Sequence, residues 1–291
     1  MSFDFKGRRV VVTGASRGIG RSIALEFAAA GAAVSICARG ADKLEATRQE
    51  IARHGSKTHG AVCDLADGAD VARYVESAAT ALGGIDILVN NASGYGQTEE
   101  EANWAACIAV DLLATARASR AAEPFLERTG PGSSIVNISS ISGLHATPSD
   151  APYGAVKAAL IQYTATQAVS LAPKRIRANG VAPGSIEFSR RLLGSDAHAG
   201  SRGLSPGHGP HGLQPSRTAG GGGPGGALPR LAAGLLDHRP DRRRGWRAEP
   251  RIVSCRRNSL ANFWGRQATR INNLCPAATE NLVRRISESG H

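Results

Sequence analysis

Lysine is missing from the last third of this chain. Residues 189–291 hold 17 arginines, no lysine and 6 acidic residues. Residues 1–188 hold 18 basic and 18 acidic residues, so the formal net charge of +11 lies wholly in the C-terminal part. A surface selected to bind phosphates mixes lysine with arginine, so the average charge is a poor argument for a nucleic-acid partner. The chain has no apolar run near the roughly 20 residues that a membrane-spanning helix needs. Its start, MSFDFKGRRVVVTGAS, has an acid ahead of its basic residues and no signal-peptide core. The five cysteines (Cys37, Cys63, Cys107, Cys255 and Cys275) lack the paired spacing of a metal or redox motif. Buried or incidental thiols in a reducing compartment are the expectation. His208 and His211 stand in a glycine-rich stretch without a third ligand, so no metal site is expected. These absences lead to the expectation of a soluble, cytoplasmic protein with no membrane or nucleic-acid partner.

What is present, up to Phe188, is an alternation of two periods. RRVVVTGAS is a short β-branched run that ends in a glycine turn, and IGRSIALEFAAAG carries apolar residues at helical spacing. AAVSICAR, KTHGAVCDL, IDILVNNAS, SSIVNISS and IRANGVAP read as five more strands. The segments between them read as helices, one of them through about 102–127. IDILVNNAS is apolar on both faces, as a covered parallel strand must be. Six strands joined by helical crossovers predict an α/β fold, a doubly wound parallel sheet with helices on both faces. Ligands in such sheets bind at the carboxyl ends of the strands, and the polar motifs fall there.

The first motif is TGASRGIG, Thr13 to Gly20, between strand one and helix one. Gly14 permits a tight turn. Gly18 and Gly20 let backbone approach a pyrophosphate at the helix N-terminus, where free N–H groups and the helix dipole favour negative charge. At the end of strand two, where an acid would bind a free ribose 2′-hydroxyl, the sequence has Ala38 and Arg39. Arg39 with Arg17 suits a 2′-phosphate, which favours NADP(H) over NAD(H). In YGAVK, Tyr153 and Lys157 are four apart and share a helix face. A nearby ammonium would lower the tyrosine pKa and make it an acid/base. Ser140, at the end of strand five, offers a hydroxyl to polarise a carbonyl.

In combination, TGASRGIG, CDL, NNAS, VNISSISG, YGAVK and VAPGSI make residues 5–188 resemble the short-chain dehydrogenase/reductase family, in its classical group and similar to 3-oxoacyl-ACP reductases. The resemblance implies a Rossmann fold. It also implies hydride transfer between NADP(H) and a small carbonyl or alcohol substrate. Tyr153 would be the acid/base and Ser140 would position the substrate oxygen. Lys157 would hold the nicotinamide ribose and tune Tyr153. The glycine turn (Gly14, Ser16, Arg17, Gly18, Ile19, Gly20), Arg39, Asp64 and Leu65 at the adenine, Asn91 and Ala92, and Pro183, Gly184 and Ile186 at the nicotinamide would line the cofactor. The intact family form is a homotetramer or homodimer.

Two departures stand out. The fourth catalytic position of the family, usually asparagine, falls on Asp111, which accepts hydrogen bonds but donates none when ionised. Ser93 replaces the usual final glycine of NNAG and is expected to crowd a turn. Beyond residue 188 the family pattern stops. SPGHGPHGLQPSRTAGGGGPGG and HRPDRRRGWRAEPR cannot bury a core, so residues 189–291 are expected to be a low-order tail. Back-translation shifted by one base permits the family's closing strand, with its TGQ and VDGG signatures, opposite residues 234–252. A frameshift near codons 188–189 would account for the join. The expectation is a sheet lacking its last strand, with an open edge, poor solubility and little activity. A cofactor-binding but non-catalytic domain, and nucleic-acid binding through the basic tail, are the alternatives.

Overall fold

Val10, Val11 and Val12 are fully buried although they point alternately to opposite faces of one strand. Val10 and Val12 pack with Ile23, Ala24 and Phe27 on one side. Val11 packs with Val71, Val75, Ala118 and Leu126 on the other. A strand apolar on both faces requires a layer of helices on each, and that is the architecture. The computed structural model describes residues 4–146 and 150–184, together with the backbone of 252–255.

The strands are β1 (Arg9–Thr13), β2 (Ala33–Ala38), β3 (Thr58–Val62), β4 (Ile87–Asn90), β5 (Ser134–Ile138), β6 (Arg177–Pro183) and β7 (Ile252–Cys255). They form one parallel sheet in the order β3-β2-β1-β4-β5-β6-β7. The order reverses between β1 and β4, which opens a crevice at their carboxyl ends. The helices are α1 (Gly18–Ala29), α2 (Ala41–Ala52), α3 (Gly68–Leu82), α4 (Glu101–Cys107), α5 (Ala114–Thr129) and α6 (Ala151–Leu171). Helices α4 and α5 are joined without a break by a wide π turn, Ile108–Leu113. The six strands and the long helix expected from periodicity all form.

The edge of β6 that the loss of the family's closing strand was expected to leave open is paired instead. Ile252–Cys255 pairs parallel with β6, with Gly180 opposite Ile252 and Pro183 opposite Cys255. Four residues with β-branched Ile252 and Val253 suffice to cover the β6 edge, although arginine-rich sequence surrounds them. The rest of the expected low-order tail lies outside the described residues.

One polar row crosses this apolar interior. Asn90 on β4 lies opposite Asn137 on β5. The Asn90 amide donates to Asn137 Oδ1 at 2.9 Å and to Ser119 Oγ on α5 at 3.1 Å. The Asn137 amide donates to Thr164 Oγ1 at 2.9 Å and Gln167 Oε1 at 2.8 Å, both on α6. All five residues are buried. Replacing Asn137 by alanine removes a partner from groups on two elements, β4 and α6, so Asn137→Ala is expected to lower stability by about 2–4 kcal/mol. Urea unfolding checks this, and an unchanged midpoint would show the row to be dispensable.

Candidate active site

The glycine turn follows β1 directly. Gly14 and Gly18 have φ of +66° and +60°. A Cβ on Gly14 would come within 2.8 Å of Ala92. A Cβ on Gly20 would collide with the Asn91 amide and approach the Gly14 carbonyl to 2.6 Å. The Asn91 amide donates to the carbonyls of Thr13 and Gly14, each at 3.0 Å. Its backbone N–H donates to Thr13 Oγ1 at 3.0 Å. Asn91 therefore braces the turn from the end of β4. Helix α1 starts at Gly18, and its N-cap residue, Arg17, makes no side-chain cap. The first amides of α1 thus face a close backbone cradle, which fits the pyrophosphate of a dinucleotide.

Arg17 and Arg39 are both exposed on the rim of this cradle. The turn is tied to the end of β2 by the Ala15 N–H, which donates to the Cys37 carbonyl at 3.1 Å. The Thr47 hydroxyl of α2 donates to the Ser16 carbonyl at 3.3 Å. Asp64, exposed at the end of β3, accepts from the Ala66 N–H at 3.0 Å, and Leu65 beside it is buried. Ile19 packs partly buried against the core. Pro183 ends β6 with Gly184 after it, while Ile186 lies outside the described residues.

A cluster of hydroxyl, phenol and ammonium groups lies at the end of β5. Ser140 caps a short 3₁₀ turn, its hydroxyl accepting from the Ser142 N–H at 3.2 Å. Tyr153 stands in the first turn of α6, where the Ser140 hydroxyl acts on its phenol. Lys157, one turn later, is only 2% exposed. Its ammonium donates to the Ile138 carbonyl at 2.8 Å and lies 5.4 Å from the centre of the Tyr153 ring. The Ser139 hydroxyl donates to the Lys157 carbonyl at 2.9 Å and locks α6 onto the strand end. Ser140, Tyr153 and Lys157 are therefore brought together.

Asp111 joins them. Its carboxylate Oδ1 lies 2.9 Å from Lys157 Nζ, and both side chains are almost fully buried. Oδ1 has no hydrogen bond of good geometry, so the contact is chiefly charge on charge. The other oxygen, Oδ2, accepts from the Gly94 N–H at 2.8 Å. This pairing corrects one expectation. Lys157 was expected to lower the Tyr153 pKa, but its charge is matched by Asp111. Burial pushes the Tyr153 phenol well above its ordinary value. The Ser140 hydroxyl opposes that rise, while Tyr95, Asp111 and Asp150 add to it.

Ser93 does not crowd its turn. Its hydroxyl accepts from the Tyr95 N–H at 3.1 Å, and the unusual backbone falls on Tyr95, with φ +57°. Tyr95 is 67% exposed, with its ring centre 5.7 Å from that of Tyr153. Sequence reasoning singled out only the stretch GYGQTEEEANW as a substrate-side loop. The signal for Tyr95 was its place between two glycines, because a Cβ on Gly94 or Gly96 would collide with the α4 backbone. Thr13, Ser139 and the asparagine row were missed; each is a small polar residue at the end or centre of a buried strand. Among the described residues no group of side chains could hold a metal ion. Nor is any helix among them long and apolar enough to cross a membrane.

The short chain dehydrogenase family model matches residues 8–192. The 3-oxoacyl-[acyl-carrier-protein] reductase of Aquifex aeolicus is 34% identical over 197 residues, covering 64% of this chain and 77% of that protein. A short chain dehydrogenase from Burkholderia cenocepacia, solved in complex with NADP, is 36% identical with a TM-score of 0.60, covering 62% of this chain and 76% of that one. An NAD⁺-bound xylitol dehydrogenase superposes with the same TM-score at 29% identity, covering 63% of this chain and 72% of that one. With its glycine cradle, its strand order and the Ser140–Tyr153–Lys157 cluster, the chain belongs to the short-chain dehydrogenase family of oxidoreductases.

Proposed function

We propose that the chain is an NADP(H)-dependent oxidoreductase that interconverts a small carbonyl compound and a secondary alcohol. The observation that carries this reading is the convergence of the Ser140 hydroxyl, the Tyr153 phenol and the Lys157 ammonium at the carboxyl end of β5, beside the crevice. Gly14, Ser16, Gly18, Ile19 and Gly20 would hold the pyrophosphate. Asp64, Leu65, Asn91 and Ala92 would line the cofactor between adenine and nicotinamide, with Pro183 and Gly184 at the nicotinamide end. When bound, the cofactor supplies or accepts the hydride. In reduction, the Tyr153 hydroxyl gives its proton to the substrate oxygen and the Ser140 hydroxyl steadies that oxygen. In oxidation, Tyr153 takes the proton back.

Arg17 and Arg39, exposed on one rim with no acid at the end of β2, support a 2′-phosphate. Arg39→Glu is expected to weaken NADPH binding at least about tenfold while leaving NADH binding nearly unchanged. Fluorescence titration with both nucleotides measures it, and an equal effect on the two would refute the phosphate role.

Tyr153→Phe is expected to lower turnover at least about a hundredfold without altering NADPH affinity. The raised Tyr153 pKa keeps the phenol protonated through neutral pH. Carbonyl reduction should therefore hold steady from acid to mildly alkaline pH, and alcohol oxidation should climb as pH rises. A pH–rate profile in each direction checks this, and an oxidation rate that peaks near neutrality would contradict it. A second reading, a domain that binds cofactor without turnover, is favoured by the Asp111 pairing of Lys157. NADPH binding with no turnover across a panel of ketones would select it.

A further inference from the structure

Asp150 stands at the N-cap of α6, just ahead of Tyr153. An aspartate in that position ordinarily spends its carboxylate on the free amides of the first helical turn. This one makes no side-chain cap. Only its backbone carbonyl serves the helix, accepting from the Gly154 N–H at 2.7 Å. Among the described residues no hydrogen bond or ion pair engages the Asp150 carboxylate, although the residue is partly buried. It lines a cavity of about 430 Å³ with Ser142, Leu144, His145 and Gly154, between the 3₁₀ turn after β5 and the start of α6. Its charge reaches the Tyr153 phenol and favours the protonated form. Lys157 and Asp111 carry opposite charges 2.9 Å apart, so their fields largely cancel at a distance. Asp150 is the unmatched charge among the described groups that act on Tyr153. Tyr95 also acts on that phenol, with its ring centre 5.7 Å from the Tyr153 ring and 67% of the residue exposed. Its φ of +57° is unfavourable for a bulky side chain. The loop is pinned there on both sides, by Asp111 at the Gly94 N–H and by Cys107 Sγ at the Gly96 N–H, 3.2 Å away. A carboxylate without a partner and an aromatic face held in the open thus attend one phenol. That combination suits a cation.

We propose that Asp150 and Tyr95 are specificity-determining residues that receive a protonated amine, so that the preferred substrate is an amino ketone or the matching amino alcohol. This rests on the reading that Tyr153 is the acid/base of a carbonyl reductase. With the substrate carbonyl at Ser140 and Tyr153, an ammonium a few carbons away exchanges part of its hydration for the Asp150 carboxylate and the Tyr95 ring. The hydride and the proton still go to the carbonyl carbon and oxygen, and the amine leaves the reaction unchanged. The same carboxylate disfavours keto acids, which would bring a second negative charge to it.

The test compares two methyl ketones of the same shape, one ending in a dimethylamino group and the other in an isopropyl group. Both are offered to the full-length chain with NADPH near neutral pH, where the amine is protonated. The wild type should favour the amino ketone in kcat/KM by about tenfold or more. Asp150→Asn keeps the shape and should lower that ratio by about tenfold, chiefly through the KM of the amino ketone. A changed Tyr153 phenol acts on both ketones and cancels in the ratio. Tyr95→Leu should lower the ratio by about threefold, and Tyr95→Phe should keep it, because the π face remains. No preference in the wild type, or a ratio unmoved in Asp150→Asn, overturns the proposal. Should Asp150→Asn fail to fold, Asp150→Ser, another favourable N-cap, carries the same comparison. If neither ketone is turned over, the reductase reading fails, and saturation-transfer NMR of the two ketones decides the amine site by itself. A stronger signal for the amino ketone that weakens in Asp150→Asn and with added salt upholds the site, and equal signals for the two ketones overturn it.

Discussion

The hydrogen bond between Asn90 and Asn137 sits where the sheet can least tolerate an unpaired polar group. Both asparagines lie on central strands covered by helices, and neither has access to solvent. Each side-chain NH2 group finds partners on the helices that carry the site, while the buried Asn90 side-chain oxygen has no hydrogen-bond partner. Asn90 reaches α5, the continuation of the π turn that holds Asp111. Asn137 reaches Thr164 and Gln167 on α6, about two to three turns beyond Lys157. An apolar pair of the same size would fill the space but would leave the rotation and height of α6 less determined. The distances at Ser140, Tyr153 and Lys157 depend on that setting.

The electrostatics of the site follow from the same burial. Lys157 enters the interior with its charge, and the interior answers with a carboxylate and a carbonyl. Once the ammonium is matched in this way, the Tyr153 phenol is governed by desolvation, which favours the protonated form. The site as folded holds its proton in place. In the proposed reaction this suits a group that gives a proton to a developing alkoxide, and it would make the reverse direction depend on alkaline conditions or on a change in the Lys157 pairing.

The sheet edge illustrates a different constraint. Strand β6 presents unpaired N–H and C=O groups unless something adds to it, and an open edge of this kind recruits whatever extended chain is nearby. Ile252–Cys255 does this with four residues, in parallel register, from a segment far along the chain. Backbone pairing is tolerant of sequence, so a short β-branched run can close an edge even where its neighbours follow no family pattern.

Much of the fold was legible because periodicity is local. Alternating valines, helical spacing and the glycine turn each declare themselves within a dozen residues, and six strands and their helices form where those patterns lie. Tyr153 and Lys157 could be paired from sequence because four residues of helix place them on one face. Asp111 was visible as a departure, but its partner was not: the ion pair joins a π turn to a different helix, and no local rule links them. The same holds for Tyr95, whose contact with Tyr153 requires a loop held by Asp111 and Cys107, and for β7, which exists only by pairing with β6. The sequence by itself determined the elements and the residues available for chemistry. Tertiary structure alone decided which charges met and which phenol kept its proton, because those depend on burial and on distances between segments remote in the chain.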